Sequence, residues 1–118
     1  MDETTTEGIQ LRIYVGESDH ADHRPLWEDI LLRAREAGLS GATVMRGVAG
    51  FGRDSRIHTT KILRLSQDLP MLIEIVDRAD KIEAFRPTIE SLVRGGLVTA
   101  ERVQIWLYRG SGSASSDE

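Results

Sequence analysis

No cysteine occurs anywhere in this chain of 118 residues. A disulfide framework and thiolate chemistry are therefore excluded. No apolar run approaches the roughly 18 residues that a spanning helix needs. Residues 1–8 and 110–118 contain no basic residue at all, although they hold five of the 19 acids. An acidic, threonine-rich start is the opposite of a basic secretory leader, so a soluble cytoplasmic protein is expected. The formal charge of −4 thus belongs to the ends. Residues 1–8 and 110–118 read as disordered, since they carry nothing to bury. The body, residues 9–109, is near charge balance and of a size for one domain. Without a long basic face it is not expected to bind nucleic acid.

Positive charge is local. Residues 46–64 hold Arg46, Arg53, Arg56, Lys61 and Arg64 against the single acid Asp54. Gly47, Gly50 and Gly52 lie among them. Glycine permits backbone that other residues avoid, and arginine offers a forked, permanently charged donor. The combination describes a loop suited to an anion such as phosphate or carboxylate. Its glycine spacing matches neither a dinucleotide fingerprint nor a P-loop. The functional reading is a nest of backbone N–H groups completed by Arg46, Arg53 or Arg56. The plain alternative is a flexible hairpin with solvated charges. His58 and Thr59 stand at the return of this loop. A histidine beside arginines stays neutral near pH 7, because like charge disfavours protonation.

Around the loop the pattern alternates between strand and helix. Ile9, Leu11, Ile13 and Val15 recur at period two, a half-buried strand ended by Gly16. Pro25 suits the first turn of a helix. Leu26, Ile30, Ala34 and Ala37 follow at helical spacing, and Gly38 is placed to stop that helix. Ala42 to Val48 extends again, Ile62 to Leu65 resumes a strand, and Leu69 to Val76 is apolar on both faces, as in a central strand. Pro70 marks a break or bulge there. Asp80 and Glu83 form a candidate capping pair. Ile82, Phe85, Ile89, Leu92 and Val93 make the stripe of a second helix interrupted by Pro87. Val103, Ile105 and Leu107 alternate with Gln104, Trp106 and Tyr108 in a final strand.

The order β-α-β-β-α-β predicts the α+β, ferredoxin-like arrangement, an antiparallel sheet with two helices on one face. The other face would leave aromatic surface such as Tyr14, Trp106 and Tyr108 uncovered. A bare patch of that kind marks an interface. An oligomer built by sheet-face packing follows, with a closed trimer as the expected form.

The run Asp19, His20, Asp22 and His23 offers metal-ligand chemistry, the alternative function being a metal-binding module that uses His20, Asp22 and His23, joined by His58. Two imidazoles and two carboxylates meet an ion only if the loop wraps around it; a solvated polar loop is the simpler reading. No nucleophile or acid–base arrangement stands out, so no catalytic residue is assigned and the protein is not expected to be an enzyme.

Several segments together resemble the uncharacterised PII-like family (domain of unknown function 190). They are Gly41-Ala-Thr-Val-Met-Arg-Gly-Val-Ala-Gly-Phe-Gly52, Ser55-Arg-Ile-His-Thr59, Ile62 to Pro70, and Ile73-Glu-Ile-Val-Asp77. Arg24-Pro25-Leu26 and Lys81 to Phe85 fit as well, so the resemblance spans residues 9–109. It implies a trimer of ferredoxin-like subunits with small anionic effectors, often adenine nucleotides, in clefts between subunits. It also implies a loop between strands two and three that signals to a partner protein, which could be a membrane transporter or channel. Mapped here, that loop covers residues 47–60. The ligand-binding set is Arg46, Gly47, Gly50, Gly52, Arg53, Ser55, Arg56, His58 and Thr59. No cofactor is required and no direct membrane insertion is implied. PII proteins carry a lysine-containing, Gly-rich phosphate segment after the second helix; here Arg94-Gly-Gly-Leu-Val-Thr-Ala-Glu-Arg102 has paired glycines and no lysine.

Overall fold

A computed structural model describes residues 5–52 and 68–111. Four strands and two helices follow in the order β1 (Thr6–Gly16), α1 (Leu26–Glu36), β2 (Ala42–Arg46), β3 (Pro70–Arg78), α2 (Ala79–Leu92) and β4 (Leu97–Ile105). The sheet order is β2-β3-β1-β4, and every pairing is antiparallel. The predicted ferredoxin-like arrangement is the one observed.

Period-two alternation explains the central pair. Leu11, Ile13 and Val15 of β1 and Met71, Ile73 and Ile75 of β3 are buried on one face. Register places Leu11 opposite Ile75, Ile13 opposite Ile73 and Val15 opposite Met71. The two helices close over that face with Leu26, Ile30 and Ala34 from α1 and Ile82, Phe85 and Ile89 from α2. Ile13, Ile30, Ile73 and Ile75 are fully buried. Each contributes about 1.5–3 kcal/mol by leaving water.

Helix α1 starts after Pro25, which occupies the N-cap and not the first turn, with φ −57° and ψ 144°. Proline's locked φ suits that extended site, and its carbonyl accepts from the N–H groups of Glu28 and Asp29. Gly38 follows the helix at φ 78°, as expected of a C′ residue.

Several boundaries differ from the sequence reading. β1 begins at Thr6, three residues before Ile9, because Thr6 to Gly8 pair with Val103 to Ile105. β2 stops at Arg46, where Gly47 turns to donate its N–H to the Pro70 carbonyl at 2.8 Å. Pro70 opens β3, where a missing donor costs least, and Asp68 and Leu69 before it lie outside any strand. The Asp80–Glu83 capping pair does not form. Arg78 holds the N-cap, and Asp80 instead accepts from the Arg78 guanidinium and the Lys81 N–H. Helix α2 runs through Pro87. On its outer face Arg86 bridges Glu83 and Glu90, and the hydrogen bond and charge of Glu90, with the charge of Glu83, raise the arginine's pKa.

The last strand is the largest correction. It spans Leu97–Ile105, and Trp106, Leu107 and Tyr108 lie beyond it, exposed. Alternation alone cannot distinguish a strand from the extended segment following it. Those aromatics therefore do not belong to the sheet, and Tyr108 instead donates its hydroxyl to the Ser40 carbonyl at 2.7 Å. On the open face Met45, Leu72, Tyr14 and Leu97 line up across all four strands. Beside this apolar row runs a polar one, in which Arg12 donates to the directly opposite Glu74 at 3.1 Å. The Ile62–Leu65 strand lies outside the described residues.

A buried carboxylate ties the α1–β2 turn to the end of β3. Asp77 accepts from the Ser40 N–H at 2.8 Å through one oxygen and from the Arg78 N–H at 2.6 Å through the other. The Ser40 hydroxyl donates to the Val76 carbonyl at 2.8 Å.

Candidate functional site

A cleft of about 1580 Å3 opens where the β1–α1 loop, the head of α1, the end of α2 and the chain after β2 converge. Gly50, Phe51 and Gly52 form one rim, Arg94, Gly95 and Gly96 another, and His20, His23, Arg24 and Arg33 a third.

The β1–α1 loop is built by its own hydrogen bonds. The Gly16 N–H donates to the Asp19 carboxylate at 2.9 Å, and the Ser18 N–H to Asp68 at 2.8 Å. The N–H of Leu26 reaches the Asp19 carbonyl at 2.8 Å, and that of Ala21 the Arg24 carbonyl at 2.9 Å. Polar side chains satisfying local backbone groups give a compact loop without apolar burial. That loop delivers Arg24 to the position just before the Pro25 cap. One helical turn on, Asp29 is buried, with Arg24 Nε at 3.9 Å from one carboxylate oxygen and Arg33 Nε at 3.8 Å from the other.

Elsewhere on the cleft lining Gly96 holds φ 153°, and a Cβ there would stand 2.5 Å from the Tyr14 carbonyl oxygen. Only glycine lets the chain after α2 approach β1 so closely. Arg94 is exposed beside it, without an ion pair or side-chain hydrogen bond among the described residues.

The ligand-binding set from the sequence is distributed unevenly. Gly50 and Gly52 line the cleft. Arg46 does not; its Nη2 lies 2.7 Å from Glu17 Oε2. Gly47 packs on Pro70, whose Cγ would stand 2.7 Å from an added Cβ. Arg53, Ser55, Arg56, His58 and Thr59 lie outside the described residues. His20 and His23 share the cleft with Asp19 and Asp22, yet no three metal-ligating side chains among the described residues are grouped to hold an ion. The His20 Nδ1 sits 2.6 Å from the Ser18 carbonyl, which it meets as a donor. Trp27 packs against the core.

Sequence reasoning missed Arg24, Arg33 and Arg94. It weighed a single charge run, whereas the topology gathers these three from separate segments. The i,i+4 spacing of Asp29 and Arg33 was the available signal.

A second cavity of about 1030 Å3 lies between the α1–β2 turn, Lys81 and the segment after β4. Lys81 Nζ donates there to the Gly38 carbonyl at 2.8 Å, so its cation already caps α1.

The family model of DUF190, described as "Uncharacterized ACR", matches residues 8–105. The chain belongs to this family. A UPF0166 protein of Aquifex aeolicus (strain VF5) is 38% identical over 95 residues, covering 80% of this chain and 90% of the relative. The UPF0166 protein MJ1524 of Methanocaldococcus jannaschii is 33% identical over 89 residues, covering 75% and 82%. Among solved structures, CPII from Thiomonas intermedia K12, bound to ADP and bicarbonate, matches with a TM-score of 0.54 at 20% identity, over 87% of this DUF190 chain and 92% of that one. A PII-like signalling protein from Thermus thermophilus matches with a TM-score of 0.54 at 14% identity, over 98% and 100%. At such identities the likeness shows a shared PII-like fold. No helix among the described residues is long and apolar enough to cross a membrane.

Proposed function

We propose that this DUF190 member is a non-enzymatic, PII-like regulatory protein that binds a small anionic effector, an adenine nucleotide first among candidates. The effector would lie in clefts between the subunits of a homotrimer in the cytoplasm. The 47–60 loop would report its presence to a partner protein such as a membrane transporter or channel. The observation that carries this reading is the cleft itself, with Gly50–Gly52 on one rim and guanidinium groups on the others. ADP and bicarbonate in the CPII structure support a nucleotide as the first ligand to try. The apolar row Met45, Leu72, Tyr14 and Leu97 on the helix-free face supports self-association, since Met45 is 42% and Leu97 56% exposed, and such a patch is costly to leave in water.

Arg53 and Arg56 would supply charge to the anion through charge-assisted hydrogen bonds of about 1.5–3 kcal/mol each. Calorimetry with ADP, AMP and ATP tests the effector, and light scattering the assembly. Saturable binding of a nucleotide, abolished by Arg53→Glu or Arg56→Glu with the assembly intact, is expected. Binding of none of the three, or a monomer in solution, would overturn the reading.

A further inference from the structure

We infer that Arg24 and Arg33, seated on buried Asp29 at the head of α1, form an oxyanion-reading site in the cleft that Gly50–Gly52 also line. This deepens the effector reading by naming which end of the ligand is recognised and by which residues. It adds the first helix to the glycine-rich loop as a source of that recognition.

The geometry is that of a prepared but open fork. Asp29 is only 9% exposed, whereas the side chains of Arg24 and Arg33 are 43% and 50% exposed. The two contacts to its oxygens, 3.9 and 3.8 Å, are ion pairs beyond hydrogen-bond length. Neither guanidinium has a hydrogen-bond acceptor among the described residues, so their forked N–H groups are unspent. A buried carboxylate facing two cations gives the cluster one positive charge in excess. It also restrains both long side chains, reducing the ordering cost that an arginine meets on binding. An oxyanion on the cleft side would take the remaining donors of both forks, the geometry that guanidinium matches best.

The other charges around the cleft agree with this assignment. Asp19 and Asp68 already accept the backbone N–H groups of Gly16 and Ser18. Asp22 is the one lining carboxylate, besides Asp29, left without a hydrogen bond among the described residues. Arg94 lines the same cleft and adds a third cation. The backbone around Arg24 is fixed by the Ala21–Arg24 hydrogen bond and the His20–Pro25 bridge.

The test is calorimetry on the full chain with three probes: ADP, pyrophosphate and adenosine. Arg24→Gln and Arg33→Gln each leave Asp29 one guanidinium partner, and circular dichroism and thermal melting verify that they fold. Each should weaken ADP and pyrophosphate about tenfold or more, the worth of one charge-assisted hydrogen bond, and leave adenosine unchanged. Arg33→Lys, which keeps the charge and loses the fork, should recover only part of the affinity. ADP and pyrophosphate binding equal to the parent in both Gln variants would overturn the inference. If that happens while Arg53→Glu abolishes ADP binding, the effector reading stands and only the helix site falls. If the parent binds pyrophosphate through these arginines but no nucleotide, the helix site stands and the nucleotide reading falls. A parent that binds neither ADP nor pyrophosphate overturns the helix site, and one that binds none of ADP, AMP and ATP overturns the effector reading as well.

Discussion

Asp77→Ala should be among the most damaging single changes on the polar side of this molecule. The carboxylate is 6% exposed and accepts two backbone N–H groups, from Ser40 and Arg78. Alanine removes both acceptors and leaves two part-buried N–H donors, those of Ser40 and Arg78, without their partner. A hydrogen bond to a charged group is worth about 1.5–3 kcal/mol, and a buried donor left unmet costs about 1–3 kcal/mol. Two such losses sum to roughly 3–5 kcal/mol, allowing for partial relaxation and water entry. The effect is also architectural, because the Ser40 contact spans 37 positions in the chain and holds the α1–β2 turn against the end of β3. Asp77→Asn keeps one acceptor but turns an NH2 group toward a donor, so it should fall between alanine and the parent. Urea unfolding followed by circular dichroism, at one fixed protein concentration, reads the difference, and the slope m should stay unchanged. A loss below about 1 kcal/mol for Asp77→Ala would refute the account, since it would mean that these bonds contribute no more than a typical exposed hydrogen bond.

Arg46→Gln removes a half-exposed ion pair with Glu17, and should cost less than about 1 kcal/mol; the difference from the parent should vanish at about 1 M salt in the same unfolding assay. Gly96→Ala puts a Cβ against the Tyr14 carbonyl at a φ that side chains avoid, and should destabilise by about 2 kcal/mol or more, read as a drop in melting temperature. Pro87→Ala restores an N–H to the Glu83 carbonyl in the middle of α2; stability should rise, by up to about 3 kcal/mol, with slower amide exchange at residue 87's neighbours. No rise would mean that the helix is already bent to accommodate the ring.

The fold was legible wherever one periodicity ran against one burial demand. Ile9 to Val15 alternate because one face of β1 meets two helices and the other does not. Leu26, Ile30 and Ala34 recur because α1 has a single buried stripe. Ends were less legible. Arg78 caps α2 without a side-chain hydrogen bond, so no capping residue announces it, while Asp80 looks like a cap and is spent on Arg78 and Lys81. At β4, Val98 on the helix side is 39% exposed and Leu97 on the open side 56%. With neither side strongly buried, little alternation is imposed, and the more regular Val103–Tyr108 pattern drew the strand too far along the chain. For the cleft, Gly50 and Gly52 could be read from local composition. Arg24 and Arg33 were signalled only by the Asp29–Arg33 spacing, because their partnership depends on Asp29 being buried, and a carboxylate in a helix looks solvated until the packing around it is known.

The Gly47 N–H and the Pro70 carbonyl join the residue after β2 to the first residue of β3. That pin is made by backbone atoms alone, so the way β2 lies along β3 at the cleft end of the sheet is held whatever side chains the neighbouring positions carry.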